Sequence, residues 1–193
     1  MIRRSVAAGL VRERLAADDI VMCGLGSTAR AWREQKDPHL TYYASDPMGT
    51  APALALGLAL ARPDRKVVLL EGDGDLAMNL GVLITIAGAR PANLRIAVFT
   101  NGRYETGGGQ PLPGAERISF AGLAASAGWP WTGEGRTESE VARLLDHLIR
   151  EREDLALCAI HVEPEASPYP ADPGPASQAE DRAIFQRRLA GEG

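Results

Sequence analysis

"KVVLLEGDGDLAMNLG", residues 66–81, begins as an apolar strand and ends as a helix, with two carboxylates crowded into the glycine turn between them. Val67, Val68, Leu69 and Leu70 follow one another without a polar alternate, so both faces of this strand are expected to be buried. That pattern belongs to a parallel sheet covered by helices on both sides. Gly72 and Gly74 permit a tight turn and let backbone N–H groups approach an anion at the start of the following helix. Asp73 places a carboxylate beside that anion. In an ordinary turn such an Asp serves local hydrogen bonds. In a phosphate site it serves as a Mg²⁺ ligand, because Mg²⁺ takes few protein oxygens and keeps phosphate oxygens and water.

The chain outside this stretch alternates in the same way. Residues 2–16 predict an amphipathic helix, "DIVMCGLG" a short strand, and "STARAWREQ" a helix with Ser27 as its N-cap. Residues 37–48 predict a loop with a short strand at "LTYYA", and 49–61 a helix of small residues. Downstream of the opening stretch, a helix over 76–89 is stopped by Pro91, and "LRIAVFTN" (94–101) is the next strand. A long glycine-rich loop, "GRYETGGGQPLPG", precedes a helix over 118–127 and a strand and turn at "WPWTGEG". Residues 137–150 form a helix opened by a capping box, Thr137 with Glu140, and "LALCAIHV" (155–162) is the last buried strand. The predicted fold is a three-layer α/β domain with a doubly wound, mostly parallel sheet and helices on both faces. It occupies residues 1–163. Residues 164–193 hold a proline-rich segment and a C-terminal helix opened by Ser177 and Glu180. Ile184, Phe185 and Leu189 give that helix an apolar side with which to dock.

Composition narrows the class. A chain of 193 residues can bury one sizeable core. The net charge of -4, without a basic stripe, argues against a nucleic-acid partner. "APALALGLALA" (51–61) is too short to cross a bilayer, and the first helix is amphipathic, not a signal peptide. A cytoplasmic location is expected. Cys23 and Cys158 lie in strand-like runs and read as two buried thiols. Among the histidines, His147 and His161 read as structural, while His39, in a loop, has substrate contact as the alternative.

In a doubly wound sheet, ligands bind at the carboxyl ends of the strands. Four such ends here are rich in glycine or small polar residues: "CGLGST" (23–28), "SDPMGT" (45–50), "EGDGDL" (71–76) and "TNGRYETGGG" (100–109). Asn101 offers the second metal oxygen. It ends the next strand after 26 intervening residues from Gly74, enough for one helix and one return strand. Other phosphate signatures fail: there is no GxxxxGK[ST], Ala29 stands where GxGxxG needs its third glycine, and the EF-hand acid is missing.

GDG followed by this spaced Asn resembles the cofactor motif of thiamine diphosphate-dependent enzymes. The likeness extends through "MGTAPALALGLALA" and "ETGGGQP" to the C-terminal "FQRRL". It is to the β subunits of the sulfopyruvate decarboxylase type and the matching half of phosphonopyruvate decarboxylases. The resemblance implies that Asp73 and Asn101 bind Mg²⁺ through side chains and Arg103 through its carbonyl. It implies diphosphate contacts from Gly72, Gly74, Asp75 and Leu76, with Gly26, Ser27 and Thr28 adding a second helix start. Met48 matches the apolar residue that bends the cofactor toward its reactive shape. Tyr104, Glu105 and Thr106 match the loop over the cofactor, where Glu105 reads as a solvated carboxylate before a proton-transfer group. Asp46-Pro47 departs from the small residues usual before this Met. The implied reaction converts a small 2-oxo acid to an aldehyde and CO₂. The activating Glu of the family lies on a pyrimidine-binding (PYR) domain, so the resemblance implies an α-subunit partner in a hetero-oligomer. A carboligase or oxidoreductase subunit, or a non-catalytic binding subunit, are the alternatives.

Overall fold

The computed structural model describes residues 1–44, 47–165 and 178–191. Helix α1 (Arg4–Arg12) leads to strand β1 (Ile20–Cys23), helix α2 (Ser27–Glu34) and strand β2 (Leu40–Tyr43). Helix α3 (Ala51–Ala61) precedes β3 (Val67–Gly72), a short helix α4 (Asp73–Ala77), helix α5 (Val82–Ala89) and β4 (Leu94–Thr100). The glycine-rich loop carries a small antiparallel hairpin, β5 (Arg103–Tyr104) with β6 (Gln110–Pro111). Then come α6 (Phe120–Ser126), β7 (Trp131–Gly135), α7 (Glu138–Leu145), β8 (Ala156–His161) and α8 (Gln178–Ala190).

Six strands form one parallel sheet in the order β2-β1-β3-β4-β8-β7. Both faces are buried, as the continuous apolar runs predict. Ile20, Met22, Val67, Leu69, Ile96 and Val98 pack in the core on one side, shared with α3, α5, α6 and α8. Val21, Cys23, Val68, Leu70, Ala97 and Phe99 pack in the other, against α1, α2 and α7. Ala51, Ala55 and Ala59 repeat every four residues along α3, so the helix approaches the sheet closely. At the far edge, Phe185 of α8 lies 5.2 Å from the Tyr42 ring, and Leu189 O accepts from Arg62 Nη1 at 3.0 Å.

Several local expectations change. The first helix starts at Arg4 because Ile2 forms a parallel bridge with Val162. Ser27 is not the cap of α2: Gly26, at φ +74°, precedes the helix and no side chain caps it. The helix expected over 76–89 starts earlier, at Asp73, and breaks before Val82. Asn79 and Gly81 are weak helix formers there, and the Asn79 amide turns to Gly49 O at 3.1 Å. The capping box at Thr137 and Glu140 is present, and α7 ends in a π-helical turn over Asp146–Glu151. Asp46, the proline-rich residues beyond Glu165 and the Ser177 cap lie outside the described residues.

Cys23 and Cys158 are fully buried and unpaired. Burial pushes the Cys158 thiol up to about 12 and the Cys23 thiol well up. Neither is expected to react with Ellman's reagent at pH 8 in the folded chain. Both are expected to react once the chain is unfolded in guanidinium chloride.

Candidate functional site at the carboxyl edge of the sheet

Chain order reverses direction between β1 and β3, which are neighbours although β2 lies between them in sequence. The turns leaving these two strands therefore diverge and leave a crevice. Ser27, Thr28, Gly72, Asp73, Gly74 and Asp75 line it from the two turns. Asn101 and the Arg103–Thr106 loop line it from β4, and Met48 from the loop after β2. Gly26 and Leu76 stand behind this lining. A side chain on Gly26 would come within 2.9 Å of Thr106, and Leu76 is buried in the core.

Asp73 joins the ends of β3 and β4. Its Oδ2 accepts from Asn101 N at 2.9 Å and Gly102 N at 2.7 Å, and its Oδ1 from Gly74 N at 2.9 Å. Burial nevertheless raises its pKa, outweighing these three donors. Asn101 Oδ1 accepts from Arg103 N at 2.7 Å, which folds the next residues back toward Asp73. A Cβ on Gly74 would lie 2.8 Å from the Tyr104 ring and 3.5 Å from Arg103 O. The loop carbonyl and ring therefore sit directly on the glycine turn.

Asp75 has a function that sequence reasoning missed. Its Oδ1 accepts from Gly49 N at 2.5 Å, while Asn79 donates to Gly49 O. Gly49 holds φ +85°, and a Cβ there would meet the Asn79 Cβ at 2.8 Å. Asp75, in α4, and Asn79, just beyond its end, thus clip the Met48–Gly49 turn in place. Behind Asp75 lies Glu71, fully buried at the end of β3 and also missed. Burial, then the adjoining Asp75 charge and their mutual hydrogen bond, raises the Glu71 pKa well above the ordinary range. A side chain on Gly24 would overlap Glu71 Oε1 and approach Asp75 Oδ2 to 3.0 Å, so only glycine fits. The sequence signal was a lone acid inside an otherwise apolar, two-faced strand.

Glu105 is not solvated. It is 4% exposed, and Arg4 Nη2 stands 2.8 Å from its Oε2. His39 does not face the cleft. Its Nδ1 meets Asp37 Oδ1 at 2.6 Å and its Nε2 meets Ala16 O at 2.8 Å, at the amino-terminal edge of the sheet. His161 pairs with Glu134 on the neighbouring strand, and His147 with Glu151 at 2.8 Å. Trp129 is buried and donates to Leu83 O at 3.0 Å.

A doubly wound domain with a glycine-lined crevice and an acid at its switch point defines a class of ligand-binding α/β domains. The chain belongs to the family described as thiamine pyrophosphate enzyme, C-terminal TPP binding domain, whose model matches residues 22–160. It is 39% identical over 112 residues to the sulfopyruvate decarboxylase subunit beta of Methanothermobacter thermautotrophicus, covering 58% of this chain and 60% of that one. It is 34% identical over 121 residues to the phosphonopyruvate decarboxylase of Streptomyces hygroscopicus, covering 61% of this chain and 30% of that one. The matched stretch thus spans three fifths of the length of the first relative and under a third of the second. The thiamine diphosphate-dependent 4-hydroxybenzoylformate decarboxylase of Rhodococcus jostii shares the fold. Its TM-score is 0.72 at 24% identity, covering 86% of this chain and 33% of that one.

The Glu71 proton has a measurable consequence. With its pKa raised, the folded chain holds this proton to higher pH than an unfolded Glu, whose pKa is about 4.3. The associated stability is complete below that value and is lost as pH rises toward the folded pKa. Glu71→Gln keeps a neutral donor without the titration. Its stability relative to wild type, read by urea denaturation, is expected to be higher at pH 8 than at pH 5.

Proposed function

We propose that this chain is the diphosphate-binding subunit of a thiamine diphosphate- and Mg²⁺-dependent 2-oxoacid decarboxylase, active with a PYR-domain partner. The observation that carries the proposal is the convergence of Asp73, Asn101 and the Arg103 carbonyl beside the Gly72–Gly74 turn. A carboxylate, an amide oxygen and a peptide carbonyl form a hard-oxygen set suited to Mg²⁺. The donor set fits the metal in a second way. Asp73 is buried with a raised pKa, and a cation at the lone pair left over on Oδ1 would compensate the charge that burial disfavours. The glycine turn suits the diphosphate, since Gly72 and Gly74 line the same crevice as Ser27 and Thr28 and put no side chain into it.

In this reading Asp73, Asn101 and Arg103 hold the metal. Gly72, Gly74 and Asp75 present backbone toward the diphosphate, and Gly26, Ser27 and Thr28 do so from the facing turn. When bound, the cofactor supplies the electron sink that allows CO₂ to leave a 2-oxo acid. Met48 offers an apolar flank to the cofactor rings, on a turn that Asp75 and Asn79 hold in place. Leu76 anchors α4 in the core beneath the site. Tyr104 lies on Gly74 and Thr106 on Gly26, so this loop borders both glycine turns. The activating Glu comes from the partner in a hetero-oligomer. The relatives' names favour sulfopyruvate, phosphonopyruvate or a similar short acid as substrate. A reducing cytoplasm suits the two free cysteines.

The test uses the complex of this chain with its PYR-domain partner. Calorimetry is expected to show Mg²⁺-dependent binding of thiamine diphosphate, abolished in Asp73→Ala and by chelation with EDTA. A complex that binds the cofactor yet releases no CO₂ from any 2-oxo acid, sulfopyruvate and phosphonopyruvate included, would overturn the decarboxylase reading.

A further inference from the structure

Arg4 is the least expected residue in the cleft wall. It opens α1 and lies outside residues 22–160, where the family match runs. Its side chain is 1% exposed. The start of the chain delivers it there: Ile2 N donates to His161 O at 3.2 Å, and Glu163 N donates to Ile2 O at 2.9 Å. Ile2 therefore runs beside the carboxyl end of β8, and Arg4 emerges at the cofactor edge.

At that edge Arg4 Nη2 stands 2.8 Å from Glu105 Oε2, and Nη1 stands 3.0 Å from Glu165 Oε1. Glu105 Oε1 also accepts from Glu165 N at 2.8 Å. One buried carboxylate thus joins helix α1, the loop after β4 and the exit from β8. Glu105 is flanked by Tyr104, which lies on Gly74, and by Thr106, which lies on Gly26. The next three residues are glycines, two of them at positive φ, so the loop backbone has little stiffness of its own. A carboxylate is buried at such a place only when paired, and Arg4 is its one ionic partner among the described residues.

We propose that Arg4 is a positioning residue: its ion pair with Glu105 latches Tyr104 and Thr106 over the two glycine turns. The latch sets how firmly the cleft retains a diphosphate ligand. This second clause rests on the function proposed above; the first does not.

The experiment compares wild type, Arg4→Met and Arg4→Lys as full chains by amide hydrogen exchange without cofactor. In Arg4→Met, exchange over residues 102–111 is expected to rise about tenfold or more while β1, β3 and β4 keep wild-type protection. Arg4→Lys keeps the charge but not the two-pronged reach, and its rise is expected to be smaller. Unchanged loop exchange in Arg4→Met overturns the latch. So does an equal rise in the central strands, which marks Arg4 as merely structural. Should Arg4→Met fail to fold, Arg4→Lys decides alone: a rise of about threefold in the loop supports the latch, and none overturns it. In complex with the PYR partner, Arg4→Met is expected to bind thiamine diphosphate about tenfold more weakly, mainly through faster release. Wild-type affinity in that variant overturns the retention clause. A wild-type complex that binds no cofactor overturns the proposed function, and with it the retention clause, while the exchange result still decides the latch.

Discussion

The Asp73 carboxylate, accepting three backbone N–H groups, is the contact on which the functional edge depends. It joins the turn after β3 to the turn after β4, and it can do so only because those strands are parallel and in register. Gly72 pairs with Phe99, so both strands end at the same height. Everything beyond that line is built outward from it. The Asn101 side chain folds the loop back, the loop lays Tyr104 on Gly74, and the cleft takes its shape.

Two further buried carboxylates do comparable work across longer distances in sequence. Asp75 ties α4 to the Met48–Gly49 turn, and Glu105 ties the glycine-rich loop to α1 and Glu165. Each removes charge from water, a cost that the large two-faced core offsets. For Glu71, burial and the adjoining Asp75 raise the pKa well above the ordinary range and so favour the neutral form, which lessens that cost. The acids at this edge hold turns together as well as lining a cleft. Counting them as a simple anionic patch would miss how they partition.

Much of the architecture is legible in the sequence. The unbroken apolar runs at 67–70 and 96–99 specify a buried parallel sheet, because neither leaves a polar alternate to face water. The interval from Gly74 to Asn101 brings two strand ends together because one helix and one return strand fill it. The break between α4 and α5 was not readable, since Asn79 leaves the helix to reach Gly49, thirty residues away. Nor was the cap of α2, where the positive φ of Gly26 lets Thr106 approach.

The sequence by itself determined which strand ends carry glycine and carboxylate, since local periodicity and turn chemistry act over neighbouring residues. It also determined the family resemblance, because the motifs are short and contiguous. Only the tertiary structure decided which charges are buried and with whom. Arg4 and Glu105 are 101 residues apart in sequence, and nothing local marks either as a partner. His39 allows substrate contact as an alternative in the sequence alone, and the direction of β2 places it at the opposite edge. The pairing of buried charges depends on which segments the sheet order brings together, and that order is a property of the whole fold.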